Sequence, residues 1–250
     1  MEKTEKKENR FGLLGRNISY SFSQSYFSKK FEDLELKDHS YENFDIASIS
    51  EFGSLLSQNN LKGLNVTIPY KEEVLTYLTY LDVKAKEIGA VNTIKFTEEG
   101  LKGYNTDAYG FQKSLEPFLK QHHTKALILG TGGASKAVRF VFKQLGIENS
   151  YVSRTKKENQ YAYSELNKEI IKTHTVIVNC TPLGTHPNIQ EKPTLPYQYL
   201  TEQHLLFDLI YNPEKTTFLT EGEAKGAQIK NGLEMLQLQA EKAWEIWNTP

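Results

Sequence analysis

Apolar residues recur along this chain in two periods, and the way the periods alternate predicts an α/β protein. The run at 11–15 (FGLLG) is apolar and of strand length. Over 21–36 the apolar positions Phe22, Tyr26, Phe27, Phe31 and Leu34 share one helical face, with Ser21 or Ser23 placed to cap it. A strand over 39–46, a helix over 49–56 and a strand over 61–68 follow, the last closed by Pro69, which suits a first helical turn. Helices are expected over 71–81 and 82–88, then a hairpin of 91–97 with 101–104 around Glu98-Glu99-Gly100.

A helix over 107–119, capped by Asn105 or Thr106, marks the change of domain. Beyond it the pattern predicts strand 125–130, helix 134–145, strand 148–153, helix 158–171, and strands 175–180 and 204–210. A helix over 216–224, a short edge strand at 228–229 and an amphipathic helix over 233–247 complete it. Sequential βα units favour a parallel sheet with right-handed crossovers. The expected organisation is two α/β domains: 1–106 completed by the C-terminal helix 233–250, and 107–232.

The stretch 125–137 (KALILGTGGASKA) is the strongest local signal. Its strand ends at Gly130, a turn containing Gly132, Gly133 and Ala134 follows, and Ala137, Val138, Phe140 and Val141 then run at helical spacing. Glycines let the backbone turn tightly and approach a ligand, and a helix N-terminus offers unpaired N–H groups to phosphate. A loop that merely needs glycines is the plainer reading, and the flanking strand and helix favour the dinucleotide one. Ser135 stands where the usual fingerprint has its third glycine.

Composition narrows the classes. The 250 residues are 38% apolar and 12% aromatic, enough for a sizeable core, and the net charge of −1 gives no field that points to nucleic acid or an anionic membrane. No apolar run approaches the roughly 18 residues of a membrane span. Cys180 is the single cysteine, so no internal disulfide is expected and a reducing cytoplasm fits. The six histidines show no metal-ligand spacing, so no metal is expected.

Four polar clusters fall at predicted strand or turn ends, where open α/β sheets place their sites. Ser21 and Ser23 could cap a helix or hold a carboxylate. Lys71 could be an ordinary solvated lysine or, if buried or near another cation, an acid–base group. Asn92 could be a turn residue or bind a hydroxyl. Asp107 suits a first helical turn with no catalytic role at all.

In order, GRNISYSFSQ, GLNVTIPYK, GAVNT, GYNTDAYG, GTGGASKA, SRT, NCTPLGT, FDLIYNP and NGLEMLQLQA resemble the shikimate dehydrogenases, over nearly the whole chain. The resemblance implies a substrate domain joined to a Rossmann-type dinucleotide-binding domain, with the active site in the cleft. It implies reversible NADPH-dependent reduction of 3-dehydroshikimate to shikimate, on the route to aromatic amino acids. Lys71 and Asp107 match the family's catalytic pair. Ser21 and Ser23 match its carboxylate-binding hydroxyls, and Thr67, Asn92, Tyr211 and Gln239 its hydroxyl-binding residues, with Lys71 and Asp107 in the same shell. Gly130, Thr131, Gly132, Gly133, Ala134, Ser153, Arg154, Thr155 and Lys156 match cofactor positions, and Leu209 and Gly232 positions near the nicotinamide.

Cofactor choice has its own signal. An acid that would bind the ribose 2′-OH is missing after the second strand, where Arg154, Lys156 and Lys157 stand instead, so NADP is expected. Tyr20 and Gln24 replace a family histidine and proline, Asn17 a proline and Ser153 an asparagine. The expected partners are small molecules, with the chain a monomer or homodimer. The alternatives are a quinate/shikimate dehydrogenase of looser substrate and cofactor choice, and a non-catalytic nucleotide-sensing module.

Overall fold

The computed structural model describes residues 9–249 apart from Tyr20, 57–59, 156, 157 and 159. The chain divides into two compact units. One comprises the chain up to Thr106 together with the stretch from Ala240 onward, and the other is Asp107–Gln239.

The first unit contains β1 (Asn9–Gly15), α1 (Phe22–Asp33), β2 (His39–Asp45), α2 (Phe52–Leu56), β3 (Leu61–Val66), β4 (Tyr80–Leu81), α3 (Val83–Ile88), β5 (Thr93–Thr97) and β6 (Gly100–Tyr104). They form one sheet in the order β2-β1-β3-β5-β6-β4. β1 runs parallel to β2 and β3, while β5 runs antiparallel to β3 and β6. Alternation along β1 sends Phe11 and Leu13 to one face and Leu14 to the other. Phe11 and Leu13 join Phe27, Phe31, Tyr41, Ala240, Ala243 and Trp247. Leu14 joins Phe44, Phe52, Leu64, Val66, Tyr70, Val74 and Ile94.

Trp247 fixes the return of the chain to this sheet. Its indole N–H donates to the Ile94 carbonyl at 3.0 Å, and its ring covers Gly63 so closely that a Cβ there would overlap it. The ring also packs on Phe11 and Phe27, with centroids 4.9 and 5.3 Å away.

The helix expected over 71–81 does not form. A 3-10 turn occupies Glu73–Tyr77 and the chain then pairs as β4, with Tyr80 and Leu81 opposite Lys102 and Gly103. Thr76, Tyr77, Thr79 and Tyr80 are β-branched or aromatic, residues that favour a pleated edge over a helix. The expected helix over 49–56 begins as a 3-10 turn, Ile49–Glu51, held by a Ser48–Glu51 capping box.

The second unit contains α4 (Asp107–Leu115), β7 (Lys125–Leu129), α5 (Gly133–Gln144), β8 (Glu148–Ser153), β9 (Gln160–Ala162), α6 (Lys168–Thr173), β10 (Val176–Asn179), β11 (Leu205–Asp208), α7 (Thr217–Glu223) and β12 (Gln228–Lys230). α8 (Leu233–Asn248) follows and is shared between the units, its first turns lying in the second. The strands are all parallel, in the order β12-β11-β10-β7-β8-β9. Chain order therefore runs outward from β7 to one edge, then reverses outward from β10 to the other. That is the doubly wound arrangement, with its switch point between β7 and β10.

The helix expected over 158–171 is another correction. Gln160 and Tyr161 pair with Tyr151 and Val152 as β9. The helix starts only at Lys168, where the Asn167 side chain accepts the Glu169 and Ile170 amides. An edge position beside β8 and a strong cap downstream override the apparent helical spacing. In α4, Gly110 lies against the Met235 carbonyl with no room for a Cβ, which sets α4 close to the first turns of α8.

Candidate functional site

Sheet direction decides where the polar clusters of the first unit go. β1, β3 and β6 end, and β5 begins, at the same edge. Ser21 and Ser23 follow β1, Thr67 and Lys71 follow β3, Asn92 precedes β5, and Thr106 follows β6. Four stretches far apart in sequence thus meet at one edge because β5 alone is reversed among those four strands.

Ser21 is the N-cap of α1 and its Oγ accepts the Gln24 amide at 3.3 Å, so the plain capping role is present. Ser23, 8% exposed, hydrogen-bonds the Tyr41 phenol. A buried polar chain runs on from there. The Tyr41 hydroxyl donates to Asn65 Oδ1 at 2.7 Å, and Asn65 Nδ2 donates to Thr93 Oγ1 at 3.3 Å. Thr93 Oγ1 donates to Asn92 Oδ1 at 3.2 Å. Asn92 binds Thr106 twice, its Oδ1 accepting the Thr106 amide at 2.7 Å and its Nδ2 donating to Oγ1 at 3.0 Å. The structure thus connects Ser23 with Asn92 through Tyr41, Asn65 and Thr93, none of which the sequence singles out, and Asn92 in turn with Thr106, expected there only as a helix cap. Asn65, Thr93 and Thr106 lie inside the quoted motifs, which was the available signal. Burial pushes the Tyr41 phenol well up, so it stays a neutral donor.

The backbone around Lys71 is fixed although its side chain is only half-buried. The Val91 amide donates to the Lys71 carbonyl at 2.8 Å. The preceding Tyr70 ring is buried, and its hydroxyl donates to the Ile46 carbonyl at 2.7 Å. Thr67 is held from its amide to the Leu14 carbonyl at 2.9 Å. Asp107 opens α4 as the first residue of the second unit, directly after Thr106, and is 7% exposed.

In the second unit the glycine turn lies at the C-terminal edge of the sheet, at the switch point. Gly130 has φ +96, which favours glycine, and a Cβ there would come within 3.0 Å of Thr181 beyond β10. Thr131 is exposed. Gly132 is the N-cap of α5 with no side-chain cap, and a Cβ on it would meet nothing within 4 Å. Gly133 and Ala134 form the first turn, and a helix N-terminus that opens on such an uncrowded glycine suits a pyrophosphate. Ser135, in the third-glycine position, is fully buried with its hydroxyl on the Gly132 carbonyl at 2.6 Å. The serine fits under the turn.

At the neighbouring strand end, the Ser153 hydroxyl donates to the Thr155 carbonyl, closing a turn on which Arg154 and Thr155 are exposed. Lys156 and Lys157 lie outside the described residues. Across the switch point, Leu209 and Gly232 meet: the Gly232 amide donates to the Ile210 carbonyl at 3.1 Å, and a Cβ on Gly232 would overlap the Leu209 carbonyl. Tyr211 is exposed on the loop after Leu209. Gln239, on α8, is 7% exposed and donates from Nε2 to the Leu236 carbonyl at 3.0 Å. Among the described residues no cluster of three or more histidine, cysteine or acidic side chains could hold a metal, and no helix is long and apolar enough to cross a membrane.

The family profile described as shikimate dehydrogenase substrate binding domain matches residues 13–94. The NADP(+) shikimate dehydrogenase of Clostridium beijerinckii is 38% identical over 253 residues, covering 95% of this chain and 91% of that protein. Its Clostridium botulinum counterpart is 35% identical over 247 residues, covering 94% and 95%. Among solved structures, the Thermus thermophilus shikimate 5-dehydrogenase in complex with NADP(H) and shikimate is 33% identical, with a TM-score of 0.85 and coverage of 96% and 93%. With the doubly wound nucleotide sheet and the gathered polar edge, this similarity over nearly all of both chains means that the chain belongs to the shikimate dehydrogenase family.

Proposed function

We propose that this chain catalyses the reversible NADPH-dependent reduction of 3-dehydroshikimate to shikimate. The observation that carries the reading is the convergence of Ser21, Ser23, Thr67, Lys71 and Asn92 at one sheet edge, on a substrate-domain match, in a chain whose other unit has the dinucleotide topology.

Bound NADPH supplies the hydride. The chain's own residues bind, orient and move the proton. The Ser21 hydroxyl donates to the substrate carboxylate while it caps α1, because capping uses its lone pair and leaves its proton, and the Ser23 hydroxyl donates there when its proton turns from the Tyr41 oxygen to the carboxylate. Asn92, Thr67, Tyr211 and Gln239 hold the ring hydroxyls. The Lys71 ammonium faces the carbonyl oxygen, stabilises charge as it develops there and delivers the proton. Asp107 orients Lys71 and binds the reacting hydroxyl. In the second unit Gly132, Gly133 and Ala134 cover the pyrophosphate, and Arg154 with Lys156 takes the 2′-phosphate. The reading implies a cytoplasmic enzyme, monomeric or homodimeric.

The test is a two-way assay with purified protein. NADPH with 3-dehydroshikimate should lose the reduced-nicotinamide absorbance, and NADP with shikimate should regain it. Parallel reactions with quinate and with NAD measure breadth of choice. A folded protein inactive in both directions overturns the proposal.

A further inference from the structure

The second unit contains a buried carboxylate that the mechanism above does not use. Asp208, the last residue of β11, is fully buried. Its Oδ1 accepts from Asn179 Nδ2 and from the Ile210 amide, each at 3.0 Å, and its Oδ2 accepts the Thr216 hydroxyl at 2.6 Å. Thr216 is also buried and caps α7, accepting the Leu219 amide at 3.4 Å. The loop 209–216 is thus bound to one carboxylate near its start and at its end. Asn179 extends the network, for its Oδ1 accepts the Thr181 amide and hydroxyl at 3.0 and 2.6 Å, and Thr181 is the residue that closes over Gly130.

We propose that Asp208 is a positioning residue, which sets the loop carrying Leu209 and Tyr211 and so aims the nicotinamide and substrate contacts of the second unit. The inference rests on the function proposed above. A surface aspartate has no reason to lie here, since a buried carboxylate is costly without donors. All three contacts are donors to it, the set that suits the ionised form. Burial nonetheless dominates and pushes Asp208 up to about 6, against the lowering effect of Thr216, Ile210 and Asn179. The other titratable groups that face it are the Cys180 thiol and the Tyr197 phenol, both pushed up by burial and neutral in the working range. Protonating Asp208 adds a donor where three already point and removes the charge that strengthens all three contacts, so the loop is held less tightly.

Asp208→Asn keeps the shape and loses the charge, Thr216→Val removes one donor, and Thr216→Ser restores it. Positioning predicts that Asp208→Asn stays folded, loses roughly 10–100-fold in kcat/KM, and lacks an acid limb near pH 6 that the wild type shows. Thr216→Val should move that limb to higher pH by about half a unit or more, because a donor to the charged form is gone. Thr216→Ser should return it. Amide hydrogen exchange over 209–216 supplies a readout independent of turnover, and Asp208→Asn should speed exchange there and not across β7 or α5. An active wild type with Asp208→Asn matching it in exchange and kcat/KM overturns the positioning role. An inactive wild type whose exchange still responds to Asp208→Asn overturns instead the function on which it rests.

Discussion

Asn92 holds Thr106 from both ends of its carboxamide, at 2.7 Å to the amide and 3.0 Å to the hydroxyl. The last residue of the first unit is therefore held by a residue proposed to bind substrate. Asn92→Ala leaves the buried Thr106 amide without its acceptor, a loss of about 1–3 kcal/mol. The expected result is a melting temperature lower by roughly 3–10 °C and a raised KM for shikimate. Asn92→Asp keeps the acceptor and should recover most of the stability. Equal melting temperatures for Asn92→Ala and wild type would show that the amide finds another partner.

Lys71→Ala should lower kcat by roughly 10²–10⁴ while shikimate still binds, since its charge matters most as the oxygen becomes negative. Asp107→Ala should affect kcat and KM together. Residues that work as one unit give strongly non-additive losses, so the double variant should be far less impaired than the product of the singles. Steady-state kinetics on the four proteins, with circular dichroism to establish folding, decide it. A folded Lys71→Ala enzyme within a few-fold of wild type removes the lysine from the mechanism.

Arg154 is exposed on the turn closed by Ser153. Arg154→Asp sets a carboxylate where a 2′-phosphate is expected. A charge-assisted hydrogen bond contributes about 1.5–3 kcal/mol, so NADP should lose at least tenfold in kcat/KM relative to NAD. An unchanged ratio would return the cofactor choice to residues elsewhere.

Two buried histidines give the second unit a pH dependence of known sign. Burial lowers His123 and His174 below the ordinary histidine value. The unfolded chain then binds more protons than the folded one beneath about pH 6.5. Their contribution to stability is present above that pH and is lost as pH falls from there through the folded-state values. The raised Asp208 carboxyl acts with the opposite sign over part of the same range, so the histidine share is read from the difference between proteins: in thermal melts from neutral to mildly acid pH, His174→Gln should lose less stability than the wild type. Parallel pH profiles for the two would rule this out.

Much of the scaffold is legible in the residues themselves. The glycine turn announces itself because Gly130 needs its backbone conformation and Gly132 its open space. The central strands β7, β10 and β11 are short apolar runs buried on both faces, and they lie close to where periodicity predicts them. β9 escaped because three residues carry too little period to register as a strand on their own. The polar chain from Ser23 to Thr106 was illegible for a different reason. It depends on β3 lying beside β5 rather than β2, a matter of sheet order, and no local pattern encodes that. Asp208 shows the same limit, since a buried aspartate and a surface one are written with the same letter.

The position of Trp247 has a consequence for the order in which the molecule can be made. The first sheet's aromatic face is completed by Ala240, Ala243 and Trp247, residues translated after the whole of the second unit. On the ribosome, the unit synthesised first must wait with Gly63 and the Phe11–Phe27 face uncovered until those residues emerge. The nucleotide-type sheet, contiguous in sequence, needs nothing from either side of itself to finish its core. Domains generally fold as units during synthesis, so here the later-made unit closes first and the earlier-made one last. The exposed aromatic face in that interval is the part of this chain most open to capture by a chaperone or by another copy.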